Sequence, residues 1–194
     1  MIRNGAVFTA YGEKAIFCAN RAKEALHRTD PDLPVQIMNN HYHDLTDVQC
    51  SRLAKVSLLN WSLFEQTAYL DADTIPYQSI AVGFEILADG FDLVITPSNN
   101  QGDELLWHVG QDDKAETLNT TQSEPLQLQA GVFWVARNAR TKKLFAAWRV
   151  EWEKYQNQDQ GAFLRALYAN PVKVWLLGRA YNGGACIAHR FGEC

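Results

Sequence analysis

Short apolar runs alternate along this chain with longer stretches of helical spacing. Gly5-Ala-Val-Phe-Thr9 has strand character, closes in the turn Ala10-Tyr11-Gly12, and is followed by Glu13 to Arg28 with helical composition. Asp30-Pro-Asp-Leu-Pro34 breaks that helix, and Val35 to Met38 gives a second strand before the polar loop Asn39 to Asp44. Val48, Leu53, Val56 and Leu59 recur at spacings that predict a helix over 47–59, and Thr67 to Leu70 reads as a buried strand with Asp71 at its carboxyl end. Further on, a short helix is predicted within 76–89 and a buried strand over 91–96. Pro97 to Pro125 is rich in Asn, Gln, Asp and Thr with few aliphatics, so it reads as a long loop or lid. Gln129 to Ala136 returns as a strand. Arg140 to Tyr155 reads as an amphipathic helix whose Leu144, Phe145, Trp148, Trp152 and Tyr155 share one face and belong to the core. A helix over 159–169, a strand over 172–177 and a turn at Tyr181 to Gly184 complete the pattern. The alternation predicts an α/β fold: one domain over 1–194, with a mixed, mainly parallel central sheet flanked by helices.

Composition narrows the classes. At 194 residues, 47% hydrophobic and 21% charged, the chain can bury a core and does not read as disordered. A net charge of −4 supplies no basic field, so nucleic acid is not an expected partner. Cys18, Cys50, Cys186 and Cys194 lack zinc spacing and read as reduced thiols. No segment approaches the roughly 20 apolar residues of a membrane span, and residues 1–14 carry no signal-peptide pattern. The expected location is cytoplasmic.

The chemistry concentrates at Tyr69-Leu-Asp-Ala-Asp-Thr74, where an apolar run ends in two carboxylates one residue apart. Ligands of open α/β sheets gather beyond the carboxyl edge of the strands. On extended backbone Asp71 and Asp73 would point to the same side, roughly 6 to 7 Å apart at Cα. Such a pair suits Mg²⁺ or Mn²⁺ with positions left for substrate phosphates. The competing reading is an Asp-Ala-Asp-Thr turn that caps the next segment. Two other motifs carry alternatives. His41-Tyr-His43 is a zinc-type pair or a plain polar loop, and Trp107-His108 is an acceptor-stacking site or the anchor of the lid.

Taken in order, Ala6-Val-Phe-Thr-Ala-Tyr-Gly12, Lys55 with Ser57-Leu-Leu59, the Tyr69 to Thr74 block, Gln129-Ala-Gly-Val-Phe133, Asp159-Gln160, and Tyr181-Asn182 with His189 resemble the GT-A-type nucleotide-sugar glycosyltransferases, especially the glycogenin-like and galactinol-synthase-like group. The resemblance implies a GT-A-like, Rossmann-like domain. It also implies transfer of a sugar from a nucleotide-diphosphate sugar, UDP being favoured, to the hydroxyl of a glycan, protein or small-molecule acceptor, with retention. Asp71, Asp73 and His189 would hold Mn²⁺ or Mg²⁺. Thr9, Ala10 and Tyr11 would border the base, Lys55 would approach the phosphates, and Leu70, Ala72, Ala130 and Gly131 would complete the donor site. Asp159 and Gln160 would face the transferred sugar as the catalytic pair. An inverting route would instead make Asp159 the base, and a simple helix N-cap is the ordinary alternative for it.

The family's C-terminal His-x-x-Gly-x-x-Lys-Pro-Trp is matched only through His189-Arg-Phe-Gly192, so its phosphate lysine has no counterpart and Arg190 is the candidate substitute. A haloacid-dehalogenase-like phosphatase is the rival enzyme. It would use Asp71 as nucleophile, Asp73 as acid and Gly110-Gln-Asp-Asp113 for its later metal-binding aspartates. A non-catalytic nucleotide-sugar-binding domain is the remaining alternative.

Overall fold

Period-two alternation along the strands divides the core in two. In the computed structural model, which describes residues 2–40, 42, 44–98, 106, 108–122, 125–190 and 192–193, β1 (Ile2–Thr9) sends Val7 to one face and Ala6 and Phe8 to the other. β3 (Phe64–Asp71) does the same with Tyr69 against Ala68 and Leu70, and β6 (Leu128–Ala136) with Phe133 and Val135 against Val132 and Trp134. The first face is covered by α2 (Asp47–Val56), α3 (Leu58–Trp61), α6 (Ala139–Glu153) and α7 (Gln160–Ala169), through side chains such as Leu58, Leu144, Trp148 and Phe163. The second is covered by α1 (Glu13–Thr29) and α4 (Ala81–Ala88), through Ala19, Ala22, Leu26, Phe84 and Leu87. Both faces of the central strands are therefore dry, as expected of a mainly parallel sheet.

With β2 (Val35–Met38), β5 (Leu93–Pro97) and β7 (Val174–Leu176), the sheet order is β2-β1-β3-β6-β5-β7. β1 is parallel to β2 and β3, β5 is parallel to β7, and β6 runs antiparallel between β3 and β5. The α/β class with a mixed, mainly parallel sheet is thus as expected.

Four local expectations are corrected. The helix over 47–59 is interrupted at Ser57, and Val48 is 55% exposed because α2 buries Cys50 and Ala54 instead. The stretch 97–125 contains α5 (Gln111–Thr121). Its inward face is polar: Asp113 meets Arg165 of α7, while the Thr117 and Thr121 hydroxyls donate to the carbonyls four residues back at 2.7 and 2.9 Å. A helix that buries polar groups has no apolar period to read. A two-stranded sheet of β4 (Thr74–Pro76) and β8 (Ile187–His189) was not anticipated, each strand being three residues long. Finally, Cys18 is disulfide-bonded, which overturns the reduced-thiol reading there, while Cys50 and Cys186 are free.

Candidate functional site

Three central strands deliver their ends to one edge. The β1–β3 register sets Thr9 beside Asp71. Because β6 runs the other way, it starts where β3 stops: Leu70 pairs with Val132, so Ala130 and Gly131 arrive beside Asp71. A cavity of about 960 Å³ opens there, lined by Thr9, Tyr11, Asp71, Asp73, Gly131 and Asp159 among others. Its size is that of a small-molecule site.

Asp71 ends β3, but the backbone then turns, and the Thr74 hydroxyl donates to the Asp71 carbonyl at 2.7 Å. The turn reading and the ligand reading therefore hold together, and the expectation of extended backbone through Asp73 does not. Convergence comes instead from β4 and β8, whose register places His189 opposite Thr74. His189 Nε2 lies 3.3 Å from Asp73 Oδ1 and 3.8 Å from Asp71 Oδ2, while its Nδ1 bonds Asn182 Oδ1 at 2.7 Å. With Nδ1 turned to an amide oxygen, Nε2 is left facing two carboxylates, the arrangement of a metal-binding imidazole with its outer partner. Ligand atoms of Asp71, Asp73 and His189 all lie within 4.8 Å of one another. A Cβ built on Gly131 would stand 2.4 Å from His189 Cε1 and 2.9 Å from Asp71 Oδ2, so glycine is what leaves this cluster its room. Two carboxylates and one imidazole are a donor set that fits a divalent transition ion.

Asp73 is steered from a second side. Burial works to raise its pKa, but the bonds from His189 and from the Gly192 N–H outweigh that and hold it below the usual value. The Gly192 N–H donates to Asp73 Oδ2 at 2.5 Å, and Lys14 Nζ donates to the Gly192 carbonyl at 2.7 Å. Lys14 lines the cavity, whereas Arg190 is exposed and does not, so Arg190 is not placed as the substitute phosphate cation.

Lys55 joins the two halves of the site. It is 7% exposed, with Nζ 3.0 Å from Asp71 Oδ1 and 3.1 Å from Asp159 Oδ2. Burial alone would lower its pKa, but Asp159 and Asp71 outweigh burial and hold it well above the ordinary lysine value. Asp159 stands at the N-cap position of α7 without a side-chain cap bond, so its carboxylate serves Lys55 rather than the helix. Gln160 follows, with Nε2 donating to the Leu128 carbonyl at 2.9 Å.

Ala72 and Ala130 line the cavity with the residues already named. Tyr11 lines it too but is only 6% exposed, and burial, with Tyr42 and Cys50, pushes its hydroxyl up to about 12. Ala10 and Leu70 are wholly buried and do not line the cavity, so they present no side chain to a ligand. The sequence reading assigned no role to Tyr69 or Asn182. The Tyr69 hydroxyl donates to Asp71 Oδ1 at 2.7 Å and lies 2.8 Å from Thr9 Oγ1. It stands two residues before Asp71 on the same face of β3, a period-two signal that could have found it. His41, His43 and Trp107 lie outside the described residues. Asp112 and Asp113 do not line the cavity, and Asp113 is buried against Arg165, which removes the later aspartates of the phosphatase reading.

No protein-family model and no curated protein matches the chain. Among solved structures, the glycosyltransferase GlyE of Streptococcus pneumoniae TIGR4 is similar at 14% identity and TM-score 0.62, over 93% of this chain and 46% of that one. The bifunctional glycosyltransferase WbbM is similar at 14% identity and TM-score 0.65, over 91% of this chain and 39% of that one. A glycosyltransferase involved in glycosylation of the major capsid of PBCV-1 is similar at 10% identity and TM-score 0.63, over 99% and 94%. The chain thus spans less than half the length of the first two. At such identities these likenesses establish the fold, a GT-A-type α/β domain. Among the described residues no helix is long and apolar enough to cross a membrane.

Proposed function

We propose that this domain is a metal-dependent glycosyltransferase that moves a sugar from a nucleotide-diphosphate sugar, with UDP the favoured nucleotide, to an acceptor hydroxyl. The observation that carries the reading is the convergence of Asp71, Asp73 and His189, with Asn182 orienting the imidazole, at the cavity edge of a GT-A-type sheet. Mn²⁺ is the preferred ion because an imidazole joins the carboxylates. A bound divalent ion would act as a Lewis acid on the departing diphosphate.

The remaining roles belong to the chain itself. Thr9 and Tyr11 border the base end. Lys55 fixes Asp71 and Asp159 with respect to each other, so the metal ligand and the sugar-facing carboxylate cannot drift apart. Asp159 receives sugar hydroxyls and Gln160 lies near the anomeric carbon. Retention is the stereochemical course that the family resemblance implies.

The test is a thermal-shift panel of UDP, GDP, CDP and ADP, each with Mn²⁺, Mg²⁺ or EDTA. A ligand at about 100 times its Kd adds roughly 2.7 kcal/mol of stability. A shift with one nucleotide, present with metal and absent with EDTA, supports the reading and names the base. No shift with any nucleotide overturns the donor site.

A further inference from the structure

The helix α2 forms one wall of the cavity, and its chemistry changes from end to end. Asp47 stands at its start, where a Cβ built on Gly12 would lie 2.4 Å from Asp47 Oδ2, at the Tyr11 end. Lys55 stands about 12 Å further along the helix, between Asp71 and Asp159. Arg52, one turn before Lys55, lines the cavity as well, but it reaches toward the loop ahead of α7: Arg52 Nη2 donates to Gln158 Oε1 at 3.0 Å. Gln158 also lines the cavity and immediately precedes Asp159.

The two cations of α2 differ in what they have left to offer. Lys55 is engaged by two carboxylates, at 3.0 and 3.1 Å. Among the described residues no carboxylate pairs with Arg52, whose half-buried side chain is held by a neutral amide. A guanidinium carries five N–H donors and no acceptor, and the bond to Gln158 uses one of them. Because that bond turns Gln158 Oε1 to Arg52, the end of the amide left for a ligand is Nε2, another donor. A corner that offers donors and a positive charge fits a group that accepts and is negative. The planar fork of a guanidinium matches the two oxygens of a carboxylate.

We propose that Arg52 and Gln158 form an oxyanion subsite beside Asp159 that takes the carboxylate of an acidic sugar, carried either by the sugar being transferred or by the acceptor. This rests on the glycosyltransferase reading and deepens it, because it names the substrates as of uronic-acid type. The diphosphate of the donor is a different group. Its metal would be held by Asp71, Asp73 and His189, and Arg52 reaches that cluster through Gln158, Asp159 and Lys55.

The test is isothermal titration calorimetry of the whole chain with Mn²⁺, as wild type, Arg52→Gln and Arg52→Lys. UDP-glucuronate against UDP-glucose probes a carboxylate on the donor. Methyl β-glucuronide against methyl β-glucoside, with UDP and Mn²⁺ bound, probes one on the acceptor. In wild type one of the two acids should bind about tenfold or more tightly than its neutral partner, the worth of a hydrogen bond between charged groups. Arg52→Gln should bring that pair within about twofold, and Arg52→Lys should keep part of the preference. Neither should move the Kd of UDP with Mn²⁺ by more than about twofold, which also shows that the variants fold. The pair that separates tells donor from acceptor. Equal binding, or none, within both pairs in a wild type that binds UDP overturns the subsite alone. So does a preference that survives Arg52→Gln, or a loss that falls equally on UDP. A wild type that binds no UDP with Mn²⁺ overturns the subsite together with the reading it rests on.

Discussion

Gly131→Ala adds one methyl group where the candidate metal ligands meet. The new Cβ would lie 2.4 Å from His189 Cε1, 2.9 Å from His189 Nδ1 and 2.9 Å from Asp71 Oδ2. Carbon atoms in contact sit about 3.5 to 4.0 Å apart, so the imidazole would have to withdraw by about 1 Å. It has little freedom to do so. Nδ1 is bound to Asn182 at 2.7 Å, the backbone is paired with Thr74, and the side chain is 4% exposed. Any withdrawal turns Nε2 away from Asp71 and Asp73. Disturbing the support of a metal-binding histidine costs about 10- to 100-fold in metal affinity, or roughly 1.4 to 2.7 kcal/mol. Overpacking adds about 1 to 3 kcal/mol of destabilisation without metal. The Mn²⁺ Kd, read from the electron paramagnetic resonance of free Mn²⁺, and a urea curve taken in EDTA report the two effects separately. A folded Gly131→Ala protein that binds Mn²⁺ within about twofold of wild type would refute the reasoning, because His189 would then not be a ligand.

Other substitutions probe the groups around that cluster. Lys55→Met leaves Asp71 and Asp159 facing each other without their buried cation, and should lower unfolding stability by about 3 to 5 kcal/mol in urea titrations, an unchanged midpoint denying the bridge. Tyr69→Phe removes the hydroxyl that orients Asp71, and should cost about 1 kcal/mol of stability and weaken Mn²⁺ binding by about tenfold in calorimetry. Asp92 gives a pH prediction: burial works to raise its pKa, but Arg140, the Lys173 N–H and Asn138 win and hold it at about 2. A depressed carboxylate stabilises the fold above its unfolded value, near 3.8, and loses that contribution as pH falls toward 2. Because Arg140 is largely exposed, the amount is about 1 to 2 kcal/mol. The stability gap between wild type and Asp92→Asn should therefore be wide at pH 6 and narrow at pH 2.5, and a gap independent of pH would rule the ion pair out.

Sequence legibility followed the kind of packing each segment uses. Apolar runs such as Ala6 to Phe8 and Ala68 to Leu70 announce strands buried on both faces, and Leu144, Phe145, Trp148 and Trp152 announce the helix that covers one of them. α5 hid because its buried face is Asp113, Thr117 and Thr121, the first two bonded to Arg165, and polar groups leave no hydrophobic period. β8 hid because three residues are too few to show alternation, yet its pairing with β4 is what brings His189 to Asp73. The two carboxylates were readable from their place at the end of an apolar strand. The orienting roles of Lys55 and Asn182 were not, since both reach the carboxylates and His189 from elements distant in sequence or in fold. The antiparallel course of β6, which carries Gly131 to the same edge, is likewise a property of the assembled sheet.

The most direct test of the account is ³¹P nuclear magnetic resonance of a nucleotide-sugar panel incubated with the protein and Mn²⁺, repeated in EDTA and with Asp71→Asn and Asp73→Asn. The account predicts that one donor is converted to its nucleoside diphosphate, and that EDTA or either substitution slows this by about a hundredfold or more. Conversion indifferent to EDTA and to both substitutions, or no conversion of any nucleotide sugar, would contradict it.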